Sequence, residues 1–381
     1  MPKTNSTVHE TVFFNGSEYY QSLLHDIEKA ENNIDLETYI FSNDSLGEKI
    51  VEALFRAAKR GIAVRLLVDG AGTPDWGGAL AKRLESAGVQ TQIFHPFPWR
   101  FWQWSRSKIK KPFIQKIVYL LLKINSRNHR KTCLIDNKII YVGSFNISKC
   151  HLNKRQKGEG WRDTGVRLED FNSDKLHNAF EAAWNHKLVS ERIRAIFKHE
   201  NNDPIIRLNN TWLRRRVLYK NLLNKMANCK QRIWIINAYF VPDNFLLKKL
   251  ESVAQTGVDV RILLPRKSDV LFMPWASTTF YEALLKSKVR IFEYLPSILH
   301  AKTLILDDWM VIGSSNLNHR SLLHDLEVDV NVRSTISKQK IEKQFLLDLQ
   351  NSKEIRLDNW QRRPLYQRVI GRLLLYIKYW I

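Results

Sequence analysis

Cysteine is scarce. The three residues, Cys133, Cys150 and Cys229, are odd in number and lack the CxxC spacing of a metal or redox site. That excludes a disulfide framework and fits reduced thiols in a cytosolic setting. Long hydrophobic runs are lacking too: stretches such as IVYLLLKI, ending at Ile124, fall far short of the ~18 apolar residues that cross a bilayer. The N-terminal MPKTNSTVHETV has no basic-then-apolar pattern, so neither signal-led export nor a membrane span is expected. There is no GxxxxGK[ST] or GxGxxG loop, so neither the P-loop nor the dinucleotide-binding fingerprint is present. Acidic residues are the minority charge, 38 Asp and Glu against 60 Lys and Arg, a formal +22. Such a balance implies a polyanionic partner: nucleic acid, an anionic membrane surface or a phosphate-bearing substrate. Charge alone does not choose among them.

At 381 residues, 44% of them hydrophobic, the chain has material for two domains or two similar halves. YYQSLLHDIEKAENN reads as an amphipathic helix, IDLETYIF as a strand, LGEKIVEALFRAAKRG as a second helix and IAVRLLVDG, ending at Gly70, as a strand. Further on, YKNLLNKMANCKQ, RIWIINAYFVPD, NFLLKKLESVAQTG and VDVRILLPR repeat that order and end at Arg266. The expected class is therefore α/β, as a tandem duplication. Gly61 aligns with Gly257 and His129 with His300, so the offset between copies falls from 196 to 171 residues. The first copy carries the surplus, and the basic, aromatic stretch HPFPWRFWQWSRSKIKKPFIQKIVYLLLKINSR has no counterpart before His300. The organisation expected is an N-terminal half over residues 1–197, a linker over 198–216, a C-terminal half over 217–350 and a basic amphipathic segment over 351–381.

The repeat also carries chemistry. In HRKTCLID, His129 and Lys131 stand two apart in a strand-like run and project from one face. Asp136 and Asn137 read as a turn into the strand KIIYV, which delivers Gly143, Ser144 and Asn146. Glycine at 143 would permit close backbone approach to a ligand. The second copy supplies His300, Lys302, Asp307, Gly313, Ser314 and Asn316 in the same order. One such pattern arises by chance about 0.2 times in a chain of this composition; two, in matching positions of duplicated halves, do not. For Asp136 and Asp307 a purely turn-capping role competes with a catalytic one.

The doubled H-x-K-x4-D followed by G-S-x-N resembles the phospholipase D superfamily. NGSEYYQSLLHDIEKAENNIDLETYIF, AAKRGIAVRLLVDGAGTPD, NAYFVP and LHAKTLILDDWMVIGSSNLN are similar to bacterial cardiolipin synthases, especially the short type B form. The resemblance implies two α/β halves about a pseudo-twofold axis, sharing one active site. It also implies transfer of a phosphatidyl group through a phosphohistidine, from a phosphatidylglycerol donor to phosphatidylglycerol or another alcohol, with no metal or other cofactor. His129, Lys131, Asp136, His300, Lys302 and Asp307 would then be catalytic, with His129 as nucleophile and His300 as acid and base. Ser144, Asn146, Ser314 and Asn316 would bind the phosphoryl oxygens. Asp163 in WRDTGVRL and Glu327 in LEVDVNV would orient the histidines. A phosphodiesterase or nuclease of the same superfamily, hydrolysing phospholipid or nucleic acid, is the alternative that the net charge also suits.

Two segments read as interfacial helices. PFIQKIVYLLLKI places Phe113, Ile117, Leu120, Leu121 and Ile124 on one face, behind WRFWQWSRSKIKK. RRPLYQRVIGRLLLYIKYWI spaces Tyr366, Val369, Ile370, Leu373, Ile377, Trp380 and Ile381 on a stripe flanked by Arg368, Arg372 and Lys378. The partners expected are anionic phospholipid substrates and a membrane surface rather than nucleic acid, with peripheral attachment at the cytoplasmic face of the bacterial cell membrane.

Overall fold

Apolar residues at every second position build two sheets, and the amphipathic helices between strands cover them. The computed structural model describes residues 9–186, 204–361 and 364–377. The strands in chain order are β1 His9–Phe13, β2 Asn33–Thr38, β3 Ala63–Asp69, β4 Gln90–Phe94, β5 Thr132–Ile135, β6 Ile139–Gly143 and β7 Gly165–Glu169. They continue as β8 Ile206–Leu208, β9 Arg232–Ile236, β10 Asp259–Pro265, β11 Arg290–Tyr294, β12 Thr303–Leu306, β13 Trp309–Gly313, β14 Val328–Val332 and β15 Ser352–Ile355.

The first sheet has the order β1-β7-β6-β5-β2-β3-β4, and the second β15-β11-β10-β9-β12-β13-β14-β8. Apart from β15 each strand has a counterpart. β2, β3 and β4 run parallel, as do β9, β10 and β11. β5 and β12 join those runs antiparallel and continue as hairpins. The duplication in sequence is thus a duplication of topology. Capping agrees with the pattern: Asp44 and Asp243 accept from backbone N–H groups at the starts of the helices Ser45–Lys59 and Asn244–Gln255. Just past those helices Gly61 and Gly257 take φ of 90° and 94°, a left-handed conformation that glycine adopts without penalty.

The sheets face one another. On β5 and β6, Leu134, Ile140 and Val142 point into a core shared with Trp234, Ile236, Ile305, Ile312 and Val330 of the second sheet. The alternate residues Cys133, Ile135 and Tyr141 pack outward against the helices Gly16–Lys29 and Ser45–Lys59. The matching outer layer of the second half holds Leu246, Leu250, Val253 and Leu284. Four layers result, with helices outside and the two sheets meeting in the middle.

Several boundaries differ from the sequence reading. Residues 198–203 lie outside the described part, and the rest of the expected linker is structural. Ile206–Leu208 is β8, paired antiparallel with β14, the counterpart of β1 on β7. The helix Trp212–Ala227 follows it. Three residues with a single Pro nearby carry too little periodicity to read as a strand; the pairing partner defines it. Likewise the segment after residue 350 opens with β15, which extends the sheet alongside β11, before the helix Leu365–Leu374.

The insertion folds as a 3-10 turn at Phe101–Arg106 and a helix at Phe113–Leu122. Its apolar face is turned from the expected one. Leu120 is buried, whereas Phe113, Ile114, Val118, Leu121 and Leu122 are exposed, Ile114 at 75% and Leu122 at 80%. On the C-terminal helix Tyr366, Val369 and Leu373 are exposed while Gly371 sits against the carbonyl of Trp275. Trp380, Ile381 and Lys378 lie outside the described residues.

Gly143 answers to a strand neighbour rather than to a ligand. A Cβ there would stand 2.7 Å from both Gly165 Cα and Thr164 O, so β6 and β7 approach through a glycine pair. Gly313 is likewise crowded by Val328 and Asp329. Gly143→Ala should lower stability by about 1–3 kcal/mol, measured as the shift in urea midpoint. An unshifted midpoint would contradict the close approach.

Candidate active site

The segment that carries His129 is extended and fixed by buried acids before β5 begins. Asn128 donates through its backbone N–H to Asp69 (2.9 Å) and through its side chain to Glu37 (2.9 Å). Thr132 Oγ1 also donates to Glu37 (2.9 Å), and Arg130 pairs with it at 3.2 Å, wholly buried. A buried charge pair of this kind holds geometry more than it adds stability. Here it pins the backbone on both sides of His129 and Lys131.

The same segment is stitched to the other half. His129 N–H donates to Leu326 O (2.9 Å) and Leu326 N–H to Arg127 O (2.8 Å). The mirror contact has Arg162 N–H on Ile298 O (2.9 Å) and His300 N–H on Arg162 O (2.8 Å). One residue beyond each bridge stands an acid. Glu327 therefore reaches His129, with both carboxylate oxygens 3.0 Å from Nδ1, and Asp163 reaches His300, 3.0 Å from Nδ1. The acids are exchanged: each imidazole is held by the half that does not carry it. Within one chain the two imidazoles lie in electrostatic reach of each other, and His129 also feels both Lys131 and Lys302.

Around them the halves match residue for residue. Tyr39 packs edge-on to His129 at 5.0 Å and Tyr239 to His300 at 6.1 Å. Lys131 Nζ donates to His129 O (2.7 Å) and Lys302 Nζ to His300 O (2.5 Å). Lys302 Nζ also stands 2.9 Å from His300 Nε2. Asn146 Oδ1 accepts from Ile40 N–H (3.4 Å) and Asn316 Oδ1 from Tyr239 N–H (3.3 Å). Each amide is thereby oriented with its –NH2 end available as a donor.

Two pairs of expected site residues are placed elsewhere. Asp136 accepts from the backbone N–H groups of Glu31, Asn32 and Asn33 at 2.7–3.0 Å. Asp307 does the same for Lys230, Gln231 and Arg232 at 2.8–3.0 Å. Both stand at the far ends of β5 and β12 from the histidines, with φ of 52° and 50°, so they tie a hairpin turn to the strand before it. Their motif spacing reflects strand length. Ser144 and Ser314 are fully buried and bonded within the protein: Ser144 Oγ to Thr164 (3.1 Å), Ser314 Oγ to Glu327 (2.5 Å) and Val328 (3.2 Å). Both hydroxyls are engaged by the acid-bearing strands.

Other residues join the site unforeseen. His151 Nδ1 lies 2.7 Å from the second oxygen of Asp163, and Ser321 Oγ donates to Glu327 Oε1. Arg320 stands close enough to His129 to repel its proton and pairs with Asp325 at 3.1 Å. Asp269 accepts from the Tyr239 hydroxyl (2.6 Å). A signal for His151 and Ser321 existed, since both stand five residues past the asparagine of their copy.

Burial sets the electrostatics. It drives His129 well below the ordinary histidine range, helped by Lys131 and Lys302. His300 is also lowered by burial and Lys302, but Asp163 opposes the fall. Burial pushes Lys131 down to about 7 and Lys302 to about 8, and lifts Glu327 to about 7 against the pull of Lys131. Burial also acts to raise Asp163, yet the imidazoles of His300 and His151 hold it well below the usual carboxylate range. The arrangement offers a neutral imidazole nitrogen, a second imidazole backed by an ionised acid, and two lysines whose charge titrates near neutrality. Among the described residues no cluster of three or more His, Cys, Asp or Glu could hold a metal ion.

The family described as "Cardiolipin synthase, PLD-like domain" matches residues 23–184 and 222–349. A cardiolipin synthase of Clostridium perfringens is 31% identical over 370 residues, covering 94% of this chain and 74% of the relative. The major cardiolipin synthase of Bacillus subtilis is 30% identical over 374 residues, 95% of this chain and 74% of the relative. In fold, the chain is similar to a phosphatidylserine synthase from Haemophilus influenzae, with a TM-score of 0.70 at 12% identity over 97% of this chain and 93% of that one.

Asp307→Ala should lower the melting temperature, with a cost of about 1–2 kcal/mol for the lost N–H acceptors, while turnover per folded molecule stays within about twofold. Turnover lost at an unchanged melting temperature would return this aspartate to the chemistry.

Proposed function

Since the chain belongs to the phospholipase D-like cardiolipin synthase family, we propose that it joins two phosphatidylglycerol molecules into cardiolipin and glycerol, through a phosphatidyl group carried on His129. The observation that carries this reading is the exchanged acid–histidine pairing. With Nδ1 of each ring bonded to an acid, Nε2 is the nitrogen left for the substrate in both halves, and both serve one phosphodiester.

Roles follow from the unequal surroundings. His129 is held neutral most strongly, which suits a nucleophile: Nε2 attacks phosphorus and the glycerol oxygen leaves. His300, backed by the ionised Asp163, is the better proton carrier and gives its Nε2 proton to that leaving oxygen. The hydroxyl of a second phosphatidylglycerol then attacks the phosphatidyl-His129 bond, losing its proton to His300 and freeing His129. One P–O bond is broken and one formed, so the exchange needs no energy source. Lys131, Lys302 and the amides of Asn146 and Asn316 are the donors for the nonbridging oxygens. The anionic oxygens of a bound phosphodiester draw Lys302 from His300 Nε2.

Such substrates lie in a bilayer, and the exposed apolar residues suit a docking face. Trp99, Phe101 and Trp102 precede the exposed Phe113, Ile114, Leu121 and Leu122, with Lys110 and Lys111 between them. Tyr366, Val369, Leu373 and Tyr376 are exposed, as are Leu271 and Phe272, and the C-terminal helix is joined to that region through the packing of Leu374 and Leu375 on the Val241, Met273 and Ala276 cluster. No helix among the described residues is long and apolar enough to cross a membrane, so the attachment proposed is peripheral, at the cytoplasmic face, with about 1 kcal/mol from each basic residue at an anionic surface.

With phosphatidylglycerol vesicles the protein should yield cardiolipin and glycerol by lipid mass spectrometry. His129→Ala and His300→Ala should each lose at least about a hundredfold in rate. Phosphatidic acid alone, or cleavage of DNA with no lipid product, would replace the transferase reading with hydrolysis. On sedimentation with anionic vesicles, binding should weaken as salt rises, and Ile114→Glu combined with Leu122→Glu should abolish most of it. Equal sedimentation of that variant would remove the insertion from the docking face.

A further inference from the structure

The residue five past each asparagine does the same job in both halves with different chemistry. In the C-terminal half Asn316 N–H donates to Ser321 Oγ (2.9 Å), and that hydroxyl donates to Glu327 Oε1. Glu327 in turn holds His129. In the N-terminal half Asn146 N–H donates to His151 Nε2 (3.2 Å), and His151 Nδ1 stands 2.7 Å from Asp163 Oδ2. The other oxygen of Asp163 holds His300.

The tautomer of His151 follows from its neighbours. The Asn146 N–H, which has only a proton to offer, favours the form with the lone pair on Nε2 and the proton on Nδ1, facing Asp163, against the pull of Asp163, which raises the ring to about 9. The ring is fixed on its other sides by Phe145 at 5.7 Å and Trp161 at 5.4 Å, and it is 1% exposed. Each chain of contacts runs from the asparagine backbone through this side chain to an acid and across the interface to the opposite imidazole.

We infer that His151 and Ser321 are positioning residues with separate clients: His151 acts through Asp163 on His300, and Ser321 acts through Glu327 on His129. The inference rests on the reading of His129 as nucleophile and His300 as acid and base. A misaimed acid–base group slows a step that needs proton transfer, while a misaimed nucleophile slows every substrate.

Two substrates separate the effects. Glycerol leaves phosphatidylglycerol only as its oxygen gains a proton, whereas p-nitrophenolate leaves phosphatidyl-p-nitrophenol without one. Single-turnover release is measured from both, and the ratio of the two rates does not depend on the fraction of folded enzyme. His151→Phe should slow glycerol release about 10- to 100-fold and p-nitrophenolate release less than about threefold. Ser321→Ala should slow both by the same factor. His151→Gln, whose amide can accept from Asn146 and donate to Asp163, should restore the wild-type ratio. A His151→Phe enzyme with an unchanged ratio, or a Ser321→Ala enzyme with a changed one, would overturn the assignment. A His300→Ala control that leaves the ratio unchanged would instead sink the acid–base reading on which the inference rests.

Discussion

The backbone bridges between Arg127 and Leu326 and between Arg162 and Ile298 govern everything downstream. Each is a short run of main-chain hydrogen bonds that crosses from one duplicated half to the other, one residue before an acid and beside a histidine. Because the crossing occurs twice, in mirror positions, Glu327 and Asp163 are delivered to rings they do not share a half with. Each imidazole depends for that contact on an acid of the other half. A gene duplication that began as two independent units would lose that independence once the acids were exchanged, and the apolar core between the sheets keeps the exchange in register.

Symmetry of the scaffold does not make the chemistry symmetric. Glu327 is surrounded by Ser314 and Ser321 hydroxyls, and burial lifts its carboxyl to about 7. Asp163 is flanked by two imidazoles and stays ionised. Two changes accompany this split: serine at 321 against histidine at 151, and glutamate at 327 against aspartate at 163. His129 is lowered by burial and both lysines, whereas at His300 the ionised Asp163 opposes the fall, an asymmetry that the proposed two-step transfer uses.

Much of the architecture was legible in the chain because it rests on local periodicity: the alternating strands, the amphipathic helices and the glycines at 61 and 257 all follow short-range rules. β8 and β15 were not, since three- and four-residue edge strands are defined by partners distant in sequence. The histidines, lysines and asparagines could be read from their doubled spacing. That same spacing misplaced Asp136 and Asp307, whose regularity comes from the length of a hairpin. Ser144 and Ser314 failed for a similar reason, a shared motif position whose hydroxyls turn inward to the acid strands. The pairing of His129 with Glu327 was invisible as a contact, because nothing in one dimension says that an acid 198 residues away belongs to the other copy's ring. The insertion helix was recognised as amphipathic, but its buried side depends on which residues the first half offers to Leu120.

Intact-protein mass spectrometry, on enzyme stopped in alkali during the first turnover with phosphatidylglycerol, addresses the shared site most directly. If both halves build one centre, no chain carries more than a single phosphatidyl group, and digestion locates it on the peptide containing His129. Two such groups on one chain, one on each histidine peptide, would mean two independent centres and would contradict the account.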